Sequence, residues 1–174
     1  MRRFGLASVI KLVGPRCLKF SPPVITSKHH DGFSIWGSAV TDYDVMDASP
    51  FKRDILGELK AAADRQGIRL GFYHSIMDWH HPDAQSIKYP NYNSRDISNP
   101  EFPRYVENYL KPQVAEFVEK YDPAILWFDG EWVPEWTHEM GMDMYNFVRN
   151  LKPDIHSGQH VITASTRAAR AWQA

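Results

Sequence analysis

Residues 124–130 read Ala124-Ile125-Leu126-Trp127-Phe128-Asp129-Gly130, a short apolar run that ends in a carboxylate and a glycine. A continuous apolar run after a helical pattern predicts a strand buried on both faces. A carboxylate at the end of such a strand must be paired, bound to a ligand or used chemically, because leaving it desolvated alone is costly. Asp129 is therefore a candidate reactive group, and the competing reading is that it caps the next helix or closes a turn with Gly130. Two other stretches carry similar chemistry. Lys28-His29-His30-Asp31-Gly32-Phe33 follows the β-prone Val24-Ile25-Thr26-Ser27, and its histidines could bind metal, hold sugar hydroxyls or shuttle a proton. A single histidine in such a turn more often bonds backbone. Ile68-Arg69-Leu70-Gly71-Phe72-Tyr73-His74-Ser75 leads to Asp78-Trp79-His80-His81-Pro82-Asp83. Tyr73 and Ser75 point to one side of their strand and His74 to the other, so either Tyr73 or His74 faces a common site. Trp79 and Trp127 either pack or stack on a ligand.

These residues must be positioned by the elements around them. Three strand patterns, each ending in polar groups, alternate with helical ones, and such βα repeats make parallel sheets. Ser49-Pro50 predicts a helix start, with Ser49 as N-cap, Pro50 at the first helical position and Ile55, Leu56, Leu59, Ala62 and Ala63 as its stripe. Gly67 stops it. Asn99-Pro100 opens a second helix with Phe102, Tyr105, Val106, Tyr109, Leu110, Val114, Phe117 and Val118 inward, a kink at Pro112, and an end at Asp122-Pro123. A last helix fits residues 137–151. Residues 76–98 form a loop long enough to suggest function. Residues 1–23 are poorly determined by any period, 24–155 form the organised part and 156–174 are a divergent tail. An eight-stranded barrel needs about 250 residues, so three units make only a piece of one.

Bulk properties narrow the function. The chain has 174 residues, 43% hydrophobic and 24% charged, with 20 basic and 21 acidic side chains, so no charge excess points to nucleic acid or an anionic membrane. Aromatics make up 13%, including 6 Trp, which suits the apolar faces of sugars as well as a core. The one cysteine, Cys17, has no partner for an internal disulfide. The basic start Met1-Arg2-Arg3 and a short apolar run faintly suggest a signal peptide, but Lys11 interrupts it and no clear cleavage site follows. No apolar run reaches the eighteen or so residues of a membrane span.

Thr26-Ser27-Lys28-His29-His30-Asp31-Gly32-Phe33 with Trp36 and Ser38, then Gly71-Phe72-Tyr73-His74-Ser75 with Asp78-Trp79-His80-His81-Pro82, then Leu126-Trp127-Phe128-Asp129-Gly130, resembles the α-L-fucosidases of glycoside hydrolase family 29 in motif, order and separation. The resemblance runs from about Val24 to about Ile155. It implies an α/β fold, a partial (β/α)8-like (TIM) barrel holding that barrel's third to fifth strands, and a retaining cleavage of terminal α-L-fucose from glycoconjugates. A second carboxylic acid about 5 Å from the nucleophile then protonates the leaving group. By the same resemblance Asp129 is the nucleophile, His29 and His30 bond fucose hydroxyls, Tyr73 contacts the sugar and Trp127 packs on its apolar face, with His74 and Trp79 as further contacts. No cofactor and no metal are implied. The substrate is a fucosylated oligosaccharide or glycoconjugate, and the compartment is secreted, periplasmic or lysosomal.

The chain departs from the family pattern at both ends. The expected general acid lies beyond the fifth strand, where the sequence after Asp154 changes character, and Glu131, Glu135 and Glu139 read as solvated glutamates. The expectation is thus a truncated or frame-disrupted member with a nucleophile, part of a sugar pocket and no assigned acid. The alternative is a non-catalytic fucose-binding remnant. A metal hydrolase using His29, His30, His80 and His81, and a piece too small to fold stably, are the remaining readings.

Overall fold

The computed structural model describes residues 22–84 and 99–155. The predicted N-terminal segment, except for its last two residues, the divergent tail and much of the long loop after Ser75 lie outside these residues. Three parallel strands, β1 (Val24–Lys28), β2 (Gly71–Ser75) and β3 (Ile125–Asp129), form one sheet in the order β1-β2-β3. Parallel neighbours need crossovers, and the helices supply them: α1 (Ile55–Asp64) joins β1 to β2, and a longer helical run joins β2 to β3. That run comprises α2 (Phe102–Tyr105), a π-helical turn (Val106–Leu110) and α3 (Lys111–Tyr121). α4 (His138–Leu151) follows β3.

The helices cover one face of the sheet. Phe72, Leu126 and Phe128 point into that layer and are all but fully buried, with Phe72 edge-on to Phe117 of α3 at 4.7 Å between ring centroids. Leu56, Ala63, Leu110, Val114, Met144 and Val148 complete the same core. Each such Leu or Phe contributes about 1.5–3 kcal/mol by leaving water. The opposite face carries Val24, Tyr73, Trp127 and Asp129. Trp127 is 43% exposed, so β3 is buried on one face and not on two as its composition suggested. Its continuous apolarity arises because an exposed Trp stands where a half-buried strand commonly has a polar residue.

Two predicted helix features move. α1 begins at Ile55 and not at Pro50: Asp54 is its N-cap, accepting from the Gly57 N–H at 2.8 Å. Ser49 is engaged elsewhere, donating to the Val45 carbonyl at 2.6 Å and accepting from the Phe51 N–H, and Lys52 at φ 51° turns the chain before the helix. The disturbance expected at Pro112 appears as the π turn ahead of it, where the Lys111 N–H bonds the Val106 carbonyl five residues back. Pro112 then falls in the first turn of α3, where its missing N–H is tolerated.

One irregularity in the sheet matters for the site. β1 and β2 run in register through Thr26↔Tyr73, but the next pair is Lys28↔His74, so Ser27 is an extra residue in β1. β2 and β3 stay in register to their ends, which places Ser75 opposite Asp129.

Candidate active site

The three strands end together, so the groups that follow them converge. Asp129, last residue of β3, accepts a hydrogen bond from the Tyr73 hydroxyl of β2 at 2.7 Å. Its Oδ2 also lies 3.9 Å from His30 Nε2. Gly130 follows at φ 96°, and a side chain there would meet Met77. The backbone therefore turns away at once and leaves the carboxylate at the rim.

His29 and His30 occupy the tight turn after β1, closed by the Gly32 N–H on the His29 carbonyl at 3.1 Å. Gly32 has φ 83°, and a Cβ there would lie 2.2 Å from Asp78 Oδ1, so the close approach of the two loops requires glycine. His29 stacks on Tyr73 at 5.4 Å, and His30 contacts Trp79 at 5.7 Å and the edge of Trp132 at 5.5 Å. The Trp79 N–H donates to the His30 carbonyl at 2.7 Å. Trp127 sits beside Tyr73 in the register, on the Asp129 face. The structure thus brings Asp129, His29, His30, Tyr73 and Trp79 together, with Trp127 flanking them.

His74 goes elsewhere. Its ring lies on the helix side of the sheet among Trp36, Phe117 and Phe128, at 1% exposure, with Nδ1 on Ser27 Oγ at 2.9 Å. Of the two neighbours, Tyr73 is the one that faces the carboxylate. Nor do the four histidines of the metal reading converge: His80 stacks on Tyr43 at 3.8 Å, and His81 packs against Tyr105 and Tyr109. Among the described residues no three His, Cys, Asp or Glu side chains are grouped to hold a metal.

Several contributors were not read from the sequence. Lys28 is fully buried on the helix side, with Nζ 3.3 Å from Asp78 Oδ2 and 3.1 Å from the Tyr105 hydroxyl. Asp78 uses Oδ1 to accept the His80 and His81 N–H groups at 3.0 and 2.9 Å. This buried pair ties β1 to the loop carrying Trp79. Ser75 and Trp132 also touch His30, the first at 2.6 Å from Nδ1. Trp132 lies three residues past Asp129, and that spacing was its only signal.

Burial favours the uncharged forms of the ring and hydroxyl beside Asp129. Burial lowers the His30 pKa, His29 adds to the effect and Asp129 opposes it. Burial pushes the Tyr73 hydroxyl well above its usual range, and its hydrogen bond to Asp129 pushes further, so it stays a donor. Burial likewise lowers Lys28 against the pull of Asp78.

A family model described as alpha-L-fucosidase matches residues 6–171. Tissue alpha-L-fucosidase of Rattus norvegicus is 36% identical over 110 residues, covering 63% of this chain and 22% of the rat protein. The Homo sapiens tissue enzyme is 31% identical over 131 residues, covering 75% and 26%. Among solved structures, the α-L-fucosidase AlfC of Lactobacillus casei with its α-L-fucose product superposes with a TM-score of 0.70 at 30% identity, covering 87% of this chain and 49% of AlfC. A bacterial fucosidase with an iminocyclitol inhibitor gives a TM-score of 0.72 at 31% identity over 87% of this chain and 33% of its own. The chain spans about a quarter of the length of the curated relatives it matches and about half of AlfC. The sheet, its polar rim and these likenesses agree: the chain belongs to the α-L-fucosidase family.

Proposed function

We propose that this chain carries the nucleophile half of a retaining α-L-fucosidase site, acting on terminal α-L-fucose of a glycoconjugate. Asp129 attacks the anomeric carbon, the glycosidic bond breaks with its electrons going to the aglycone oxygen, and water later hydrolyses the fucosyl ester. The hydrogen bond from Tyr73 to Asp129 at 2.7 Å carries this reading, because it orients the carboxyl group at the sheet rim. His29 and His30 bind sugar hydroxyls, and Trp127 and Trp79 offer apolar faces. His74, buried behind the sheet, supports the site without touching sugar. The three strands are neighbours in a (β/α)8-like barrel, a reading supported by the likeness to AlfC, whose structures include complexes with fucose and with Fuca(1,6)GlcNAc.

The general acid is assigned to none of the nearby glutamates. Glu135 is occupied as acceptor of the Asn99 N–H at 2.9 Å, and Glu139 is exposed in the first turn of α4. A 4-nitrophenyl α-L-fucoside tests the nucleophile alone, since its leaving group departs with little need of protonation. Turnover that disappears in Asp129→Asn, with a 2-fluorofucosyl label trapped on Asp129, is the expected result. Fucose binding seen by calorimetry with no turnover would leave the non-catalytic remnant as the better reading.

A further inference from the structure

His30 has a second partner, and that partner has only one proton to give. Ser75 Oγ lies 2.8 Å from the Met77 carbonyl and 2.6 Å from His30 Nδ1, and Ser75 is fully buried. A carbonyl can only accept, so the serine proton goes to Met77. Ser75 Oγ must then accept from His30, which requires the imidazole proton on Nδ1. In a neutral ring this leaves Nε2 as a bare acceptor, and Nε2 is the atom that faces the site. Its distance to Asp129 Oδ2, 3.9 Å, is too long for a hydrogen bond and suits two acceptors that share no proton.

We propose that Ser75 is a positioning residue that locks His30 in the Nδ1-protonated tautomer, so that Nε2 presents an acceptor which selects a substrate hydroxyl able to donate beside the Asp129 carboxylate. This deepens the fucosidase reading and rests on it for the identity of the hydroxyl. The lock itself follows from the three atoms alone. Burial keeps the His30 ring neutral, in agreement. The sheet register explains why serine can do this: Ser75 is the last residue of β2, directly opposite Asp129, and the Ile76 N–H donates to the Asp129 carbonyl at 2.7 Å. The lock and the nucleophile therefore hang from one pair of residues. Without the serine hydroxyl, the His30 proton gains by moving to Nε2, where it can close the gap to Asp129 and occupy the carboxylate. The hydroxyl acceptor is then lost and the nucleophile is tied up.

The test is the histidine tautomer, read by long-range 1H–15N correlation on the full chain labelled with 15N-histidine at neutral pH, with His30 signals assigned by their loss in His30→Gln. The wild-type chain is expected to show the Nδ1-protonated pattern. Ser75→Ala is expected to shift it toward Nε2-protonated, and Ser75→Thr, which keeps the hydroxyl, to restore it. An Nε2-protonated or cationic His30 in the wild-type chain overturns the proposal, and so does an unchanged tautomer in Ser75→Ala; the wild-type spectrum decides even where a variant fails to fold. In turnover of the aryl fucoside, Ser75→Ala should lower kcat/KM roughly tenfold, the loss of one hydrogen bond to the transition state, and Ser75→Thr should recover it. An Nδ1-protonated wild-type His30 in a chain that neither binds nor cleaves fucosides upholds the lock and overturns the fucosidase reading.

Discussion

Acidification should weaken the fold through His74, and the size of the effect can be worked out in advance. The ring is 1% exposed, has Nδ1 2.9 Å from Ser27 Oγ and packs among Trp36, Phe117 and Phe128, while Nε2 has no hydrogen-bond partner among the described residues. Burial holds its pKa well below 6.5, with the Lys28 charge adding to the effect. A folded-state pKa below the unfolded one means that the unfolded chain binds the proton first. Stability is then flat above pH 6.5 and falls as the pH drops from 6.5 toward the folded value. At one unit below 6.5 the loss is about 1.4 kcal/mol from this residue alone. Urea unfolding followed by circular dichroism at about pH 7.5 and about pH 5.5 measures it, with His74→Phe as the comparison. Phenylalanine keeps a ring among the same neighbours and leaves the Ser27 donation to the Tyr73 carbonyl intact. His30 and His81, whose pKa values burial also lowers, are present in both chains and cancel in the difference. The wild-type chain should lose about 1.4 kcal/mol more than the variant across this interval. Equal losses would refute the assignment of His74 as a neutral core residue.

The buried Lys28–Asp78 pair and Gly130 give two further expectations. Lys28→Met leaves Asp78 without its cation in a dry site and should cost about 3–5 kcal/mol; adding Asp78→Asn should recover part of it, and thermal melts that coincide for wild type and single variant would contradict this. Gly130→Ala puts a Cβ 2.6 Å from Met77 Cγ and 3.0 Å from its N at a φ of 96°. A loss of about 1–3 kcal/mol is expected, together with reduced fucoside turnover, because the strain falls next to Asp129.

The strands and the order of elements were legible because each strand ends in a run of polar groups and each helix carries a 3.6-residue stripe. The convergence of Asp129, Tyr73, His29 and His30 followed from strand ends and from the resemblance together. What was not legible depends on pairs distant in the chain. Lys28 reads as a solvated charge in sequence, and only the fold shows it meeting Asp78 under the aromatic rings of Tyr105 and Tyr109. Ser27 and Ser75 look like ordinary strand residues until the histidines they hold are placed. Ser49-Pro50 is a sound helix start locally, and Asp54 wins because its carboxylate reaches the Gly57 N–H while Tyr121 donates to the same carboxylate at 2.6 Å. The face that Trp127 occupies has no signature in composition, since exposed and buried tryptophan read alike.

The extra residue in β1 acts as a parity switch. Side chains alternate along a strand, so one added residue exchanges the two sides for everything beyond it. With Ser27 inserted, Lys28 pairs with His74 and its ammonium goes to the helix layer. In an uninterrupted strand Lys28 would pair with Ser75 and point to the face of Asp129, where its cation would lie against the carboxyl group. No substitution at Lys28 can carry it across the sheet, and deleting Ser27 would leave it opposite His74; only straightening the bulge with Ser27 kept would turn it to the other face. The bulge, and not the identity of residue 28 alone, therefore keeps this cation off the Asp129 face.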